Sequence, residues 1–131
     1  MKPLIIQQTN STLHVDFNPL AALLTLRGES YPENAIRFFE PVLSWLREYF
    51  SNLSSGASVK VDMDIVYFNS SSSKALMNCF DVMDEAAGRG IEVNICWRHH
   101  VENEVAKECG EEFAEELKTA IFIMAPYKDA E

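Results

Sequence analysis

From Val59 to Asp64 the chain alternates apolar and charged residues, and it then runs unbroken through Ile65-Val66-Tyr67-Phe68. A period of two predicts a strand with one buried face, and the closing apolar run predicts that it enters a buried centre. The period then changes abruptly. From Lys74, the residues Leu76, Cys79, Phe80, Met83, Ala86 and Ala87 recur at spacings of three and four, the pattern of an amphipathic helix that Gly88 and Gly90 end. Ile91 to Trp97 alternates again, with Ile91, Val93, Ile95 and Trp97 on one face. Strands that alternate with helices are joined by crossovers, which requires parallel pairing and helices packed on a sheet.

The flanking segments complete this frame. Leu4 to Gln8, Leu13 to Phe17 and Leu23 to Leu26 read as strands, and Asn18-Pro19 marks a turn, so the N-terminal part of the sheet should be antiparallel. Ala35, Phe38, Phe39, Val42, Leu43, Leu46, Tyr49 and Phe50 predict a core helix. Pro41 within it predicts a kink, or a restart of the helix near that residue. Asn52 to Gly56 forms the following loop. A third helix is expected from about Val101 to Leu117, with Val105, Cys109, Phe113 and Leu117 buried despite Gly110 and with an acidic outer face. A last strand at Ala120 to Met124 should be closed by Pro126. The 131 residues are enough for one core, so the reading is a single α/β domain over 1–131, with a mixed sheet, antiparallel N-terminal strands, a parallel C-terminal part and three main helices.

Composition excludes several classes of function. A net charge of -9 repels nucleic acid and anionic lipid, so neither is expected as a partner. With no long apolar run and no signal-like N-terminus, a cytoplasmic location is expected. Cys79, Cys96 and Cys109 form no CxxC pair, which argues against a disulfide framework and a zinc knuckle. Cys96, His99, His100, Glu102 and Glu104 are close in sequence but lack the spacing of a metal site, and no metal or cofactor is expected. There is no G-x-S-x-G elbow and no glycine-rich phosphate loop, so His14, His99 or His100 would have to reach a serine by tertiary placement alone, and no enzyme activity is expected.

Asn69-Ser70-Ser71-Ser72-Ser73-Lys74 stands where the buried strand gives way to the helix. The plain role is capping, with a hydroxyl or the Asn69 amide accepting from the free N–H groups of the first turn. The same helix end accepts a phosphate at little structural cost, while a partner docked there would meet a new dianion. A second polar junction, Glu29-Ser30-Tyr31-Pro32-Glu33-Asn34, precedes the first helix. There Ser30 or Asn34 can cap and Pro32 fixes the turn, or the segment belongs to a docking surface.

Gly28-Glu29-Ser30-Tyr31-Pro32-Glu33-Asn34, Pro41-Val42-Leu43-Ser44-Trp45-Leu46, Tyr67-Phe68-Asn69-Ser70-Ser71-Ser72-Ser73-Lys74 and Gly110-Glu111-Glu112-Phe113 together resemble the SiaC family of bacterial regulatory phosphoproteins. The resemblance spans nearly the whole chain and implies a fold similar to the STAS domains of anti-sigma-factor antagonists. It further implies control by a serine/threonine kinase and a metal-dependent phosphatase, with the unphosphorylated form binding and activating a diguanylate cyclase and so raising cyclic di-GMP and biofilm formation. The family's phosphoacceptor falls on Ser70, a serine where better-known members carry threonine, with Ser71, Ser72 and Ser73 as neighbouring alternatives. Tyr31, Pro32, Glu33, Asn34, Asn69, Ser71 and Lys74 are the partner-binding residues this implies. The alternative is an anti-sigma-factor antagonist that sequesters an anti-sigma kinase.

Overall fold

The computed structural model describes residues 1–130. Its elements run β1 (Leu4–Ile6), β2 (His14–Asn18), β3 (Leu23–Ser30), α1 (Ala35–Ser51), β4 (Ser58–Phe68), α2 (Ser70–Gly88), β5 (Glu92–His100), α3 (Glu104–Glu116) and β6 (Ile121–Tyr127). They form one sheet in the order β1-β2-β3-β4-β5-β6. β1, β2 and β3 pair antiparallel, and β3, β4, β5 and β6 pair parallel. The expected mixed α/β sheet with three helices is therefore present.

Because β3 to β6 advance in one direction, right-handed crossovers place all three helices on one face of the sheet. A continuous apolar cluster joins that face to the helices. It takes Val15 and Phe17 from β2, Leu24 and Leu26 from β3, Val59, Val61, Met63 and Ile65 from β4, and Val93, Ile95 and Trp97 from β5. The opposite face meets solvent, with Ile5, Leu23, Ile121 and Ile123 exposed toward its edges, and is polar at its centre. There Arg98 donates to Asp62 at 2.6 Å, and the Tyr127 hydroxyl donates to Asp64 at 3.2 Å.

Several elements differ from the sequence expectation. α1 neither breaks nor restarts at Pro41. Phe39, Val42, Trp45, Leu46, Tyr49 and Phe50 bury one stripe on both sides of the proline, so packing outweighs the single backbone hydrogen bond it forgoes. In α3 the buried stripe is Ala106, Gly110 and Phe113, while Val105 is 69% exposed. Of the expected stripe Phe113 is buried and Cys109 and Leu117 are partly buried against the core, so only Val105 is misplaced, and Gly110, with no side chain, packs directly against Trp97. Pro126 lies inside β6 rather than closing it, which is possible because β6 is an edge strand and needs no N–H on its free side. β1 ends at Ile6, short of Gln8, and β3 continues past Leu26 to Ser30.

The apolar end of β4 also departs from the expected buried centre. The register against β3 slips between Gly28 and Glu29, so that Gly28 pairs with Ile65 but Glu29 with Tyr67. Val66 is the extra residue of a β-bulge. Val66 and Tyr67 are half exposed, at 49% and 51%. Gly28 has φ +114, and a Cβ there would meet the Gln8 side chain at 2.7 Å, so this position requires glycine.

Candidate functional site

The serine run is not a turn ahead of α2 but its first turn. Asn69 is the N-cap, in extended conformation, and its Oδ1 accepts from the Ser72 N–H at 2.9 Å. Its carbonyl accepts from the Ser73 N–H at 2.9 Å, the first intrahelical bond. The amide thus takes the capping role that the sequence left open between Asn69 and the hydroxyls. The N–H groups of Ser70 and Ser71, nearest the helix end, are outside that bond, and the helix dipole there favours an anion.

Helical phase divides the four hydroxyls. Ser70 and Ser71 are exposed, Ser73 is half-buried and Ser72 is fully buried. The Ser72 hydroxyl meets the Ser30 hydroxyl at 2.7 Å, 42 residues earlier in the chain. Ser30 ends β3 and is itself fully buried. Its carbonyl accepts from the Asn69 N–H at 3.1 Å. Two bonds from one residue therefore join the end of β3 to the start of α2, and they bring together the two polar junctions singled out in the sequence.

After Ser30 the chain turns through Tyr31, Pro32 and Glu33 to Asn34. Asn34, not Ser30, caps α1, with Oδ1 accepting from the Arg37 N–H at 3.0 Å. The Tyr31 N–H donates to the Ser11 carbonyl at 2.8 Å, and the Tyr31 ring meets Tyr67 edge-on at 5.9 Å between centroids. Tyr31 is 41% exposed, so the bulge and this turn together present two aromatic rings beside Asn69. Between α1 and α2 lies a groove of 630 Å³. Glu33, Asn34, Ser71 and Lys74 line it, as do Ile36, Phe39, Leu43 and Arg47, and Ile36 is 83% exposed.

Six of the residues expected to bind partners thus share one end of the molecule: Tyr31 and Asn69 at the strand ends, and Glu33, Asn34, Ser71 and Lys74 along the groove. Pro32 is half-buried in the turn that connects these two parts. Sequence reasoning missed the Ser30–Ser72 contact, the exposure of Val66 and Tyr67, and the apolar groove floor. Only the exposed Ile36, off the apolar stripe of α1, left a trace in the sequence.

The remaining candidates separate in space. His99 is buried, and its Nδ1 lies 3.2 Å from the His100 carbonyl. His100 Nδ1 accepts from the Glu102 N–H at 3.0 Å, while its Nε2 faces Asp129 at 3.0 Å. Among the described residues no group of three or more His, Cys, Asp or Glu side chains is placed to hold a metal ion. Burial pushes the Cys79 thiol up to about 12, far from a reactive thiolate, even with Arg47 acting in the other direction. No helix among the described residues is long and apolar enough to cross a membrane.

In open parallel sheets the functional groups gather at the carboxyl ends of the strands. Here that edge carries a capped helix start with two exposed hydroxyls, an aromatic pair and a groove, which defines the class: a mixed α/β domain with its exposed polar and aromatic groups gathered at the carboxyl ends of its parallel strands. The chain belongs to the SiaC family of regulatory phosphoproteins, whose family model matches residues 6–127. It is 32% identical over 125 residues to an uncharacterized protein of Pseudomonas aeruginosa strain UCBPP-PA14, covering 95% of this chain and 98% of that one. It is similar to SiaC of Pseudomonas aeruginosa, with a TM-score of 0.78 and 29% identity over 98% of this chain and 100% of that one. It also matches a chain in the crystal structure of the Pseudomonas aeruginosa diguanylate cyclase SiaD in complex with its activator SiaC. There the TM-score is 0.84 and the identity 31%, over 96% of this chain and 99% of that one.

Proposed function

We propose that this protein is a regulator without catalytic activity that, when unphosphorylated, binds and activates a diguanylate cyclase and so raises cyclic di-GMP and promotes biofilm formation. The observation that carries the reading is the structural similarity, over 96% of this chain, to a chain in the crystal structure of the cyclase SiaD in complex with its activator SiaC. The site supports it: Ser70 stands exposed at the first position of α2, beside Tyr31, Tyr67 and the groove wall formed by Ser71 and Lys74. A serine/threonine kinase adds phosphate at Ser70 and a metal-dependent phosphatase removes it. The phosphate brings roughly -1.5 to -2 charge onto an already acidic protein, and a docked partner must then desolvate it. No refolding is needed, because the helix end accommodates the anion.

The test is cyclic di-GMP synthesis by the cyclase of the same host, with GTP and added wild-type, Ser70→Ala or Ser70→Asp protein. Wild type and Ser70→Ala should activate. Ser70→Asp should bind at least fivefold more weakly with an unchanged circular dichroism spectrum. Equal activation by all three variants, or none by wild type, refutes the reading.

A further inference from the structure

We infer that Ser30 and Ser72 form a positioning pair: their buried hydroxyl bond ties the Tyr31–Asn34 segment to the first turn of α2, so that both halves of the recognition surface are held as one unit. The inference rests on the reading of that surface as a cyclase-binding site. Neither residue touches solvent, so neither can contact a partner or accept a phosphate in the folded protein. Both hydroxyls nevertheless sit at the one place where the two polar junctions meet, 2.7 Å apart.

The geometry shows what the pair controls. Ser72 is the third residue of α2, and holding it inward turns Ser70 and Ser71 outward, since successive residues step about 100° around a helix. Ser30 immediately precedes Tyr31, and its carbonyl also receives the Asn69 N–H. Two further links cross the same junction: the Tyr31–Tyr67 ring contact and the β3–β4 pairing of Ser30 with Phe68. The hydroxyl bond is the one that runs directly from the β3 end to a serine of the modifiable turn. Two alanines would occupy the site with one atom fewer each, and methyl groups give no directional contact.

Single and double variants separate positioning from plain stability. Ser30→Ala or Ser72→Ala each strands one buried hydroxyl and should lower the melting temperature. The double variant removes both partners and should recover most of that loss. Cyclase binding should follow a different pattern: each single variant weakens it about tenfold, and the double variant stays within about threefold of the singles, because one bond is being removed in every case. A double variant that binds like wild type overturns the inference and leaves the pair a structural contact only. If wild type itself fails to bind the cyclase, the functional reading falls, and amide hydrogen exchange on the free protein decides the pair. Exchange at Tyr31 and Asn69 that is faster in the stable double variant than in wild type upholds the coupling, and unchanged exchange at both overturns it.

Discussion

Gly110→Ala replaces a poor helix former with the best one, and on propensity alone it should stabilise α3 by about 1 kcal/mol. The packing of α3 predicts the opposite. A Cβ at position 110 would lie 2.5 Å from both Cδ1 and Nε1 of Trp97, and 3.0 Å from Met124 Cε. Trp97 is fully buried and cannot swing into solvent, and its Nε1–H donates to the Ala106 carbonyl at 3.0 Å. Restoring ordinary contact distance requires the indole or the helix to move by about 1 Å. Such overpacking costs about 1–3 kcal/mol, and stretching the indole hydrogen bond in a dry site adds about 1 kcal/mol or more. Net of the propensity gain, destabilisation should be about 2 kcal/mol. For a chain of this length that is roughly 7 °C in melting temperature. Urea unfolding followed by tryptophan fluorescence measures it, with the midpoint falling and the slope unchanged. A midpoint equal to or above that of wild type would show that α3 stands off from Trp97 and would refute the packing argument.

The other predictions concern the helix caps and single buried groups. Asn69→Ala removes the acceptor for the Ser72 N–H and should cost about 1 kcal/mol, read by thermal melting, with the loss partly restored by Asn69→Asp. Asp84 accepts from the backbone N–H groups of Lys118, Thr119 and Ala120. Burial would raise its pKa, but these bonds and the Lys118 charge outweigh burial and hold it below the ordinary 3.8. A depressed folded-state pKa gives stability that is fully present above the unfolded value and lost as pH falls through the folded one. Wild type should therefore lose more stability than Asp84→Asn between pH 5 and about pH 2, and parallel losses in urea titrations would contradict the assignment. Cys79, with its thiol pushed up to about 12 by burial, should resist alkylation at pH 8 in the native protein and react on unfolding.

Much of the fold was legible because its signals are local. The alternation in β4 and β5 and the stripe of α2 each follow from burying one face, and the order of strands and helices then leaves few topologies. The failures have a common physical origin in tertiary packing. Nothing near Val66 announces a bulge, because the register slip depends on how β3 lies beside β4 at Gly28. Gly110 reads as a weak point in a helix until Trp97 is placed against it. Pro126 was given too much weight as a breaker, since a free sheet edge tolerates it, and the restart considered at Pro41 is absent because a packed stripe carries α1 through it. At the site, Asn69 and Asn34 were recognisable as cap candidates from residue type and position. The partner of Ser72 lay 42 residues away, and no spacing rule reaches that far.

A run of four identical residues at the start of a helix places a hydroxyl in every quadrant of its circumference. The chemical identity of the run therefore carries no address. The address comes from the cap at Asn69, which fixes where the helix starts, and from the buried Ser30 hydroxyl that meets Ser72 on the inner side. Moving the cap by one residue along the run would rotate it by about 100° and bring different hydroxyls to the outward position with the serines unaltered. On this frame an outward serine is counted from its cap, and an aligned serine takes the same place only where the capping asparagine is also shared.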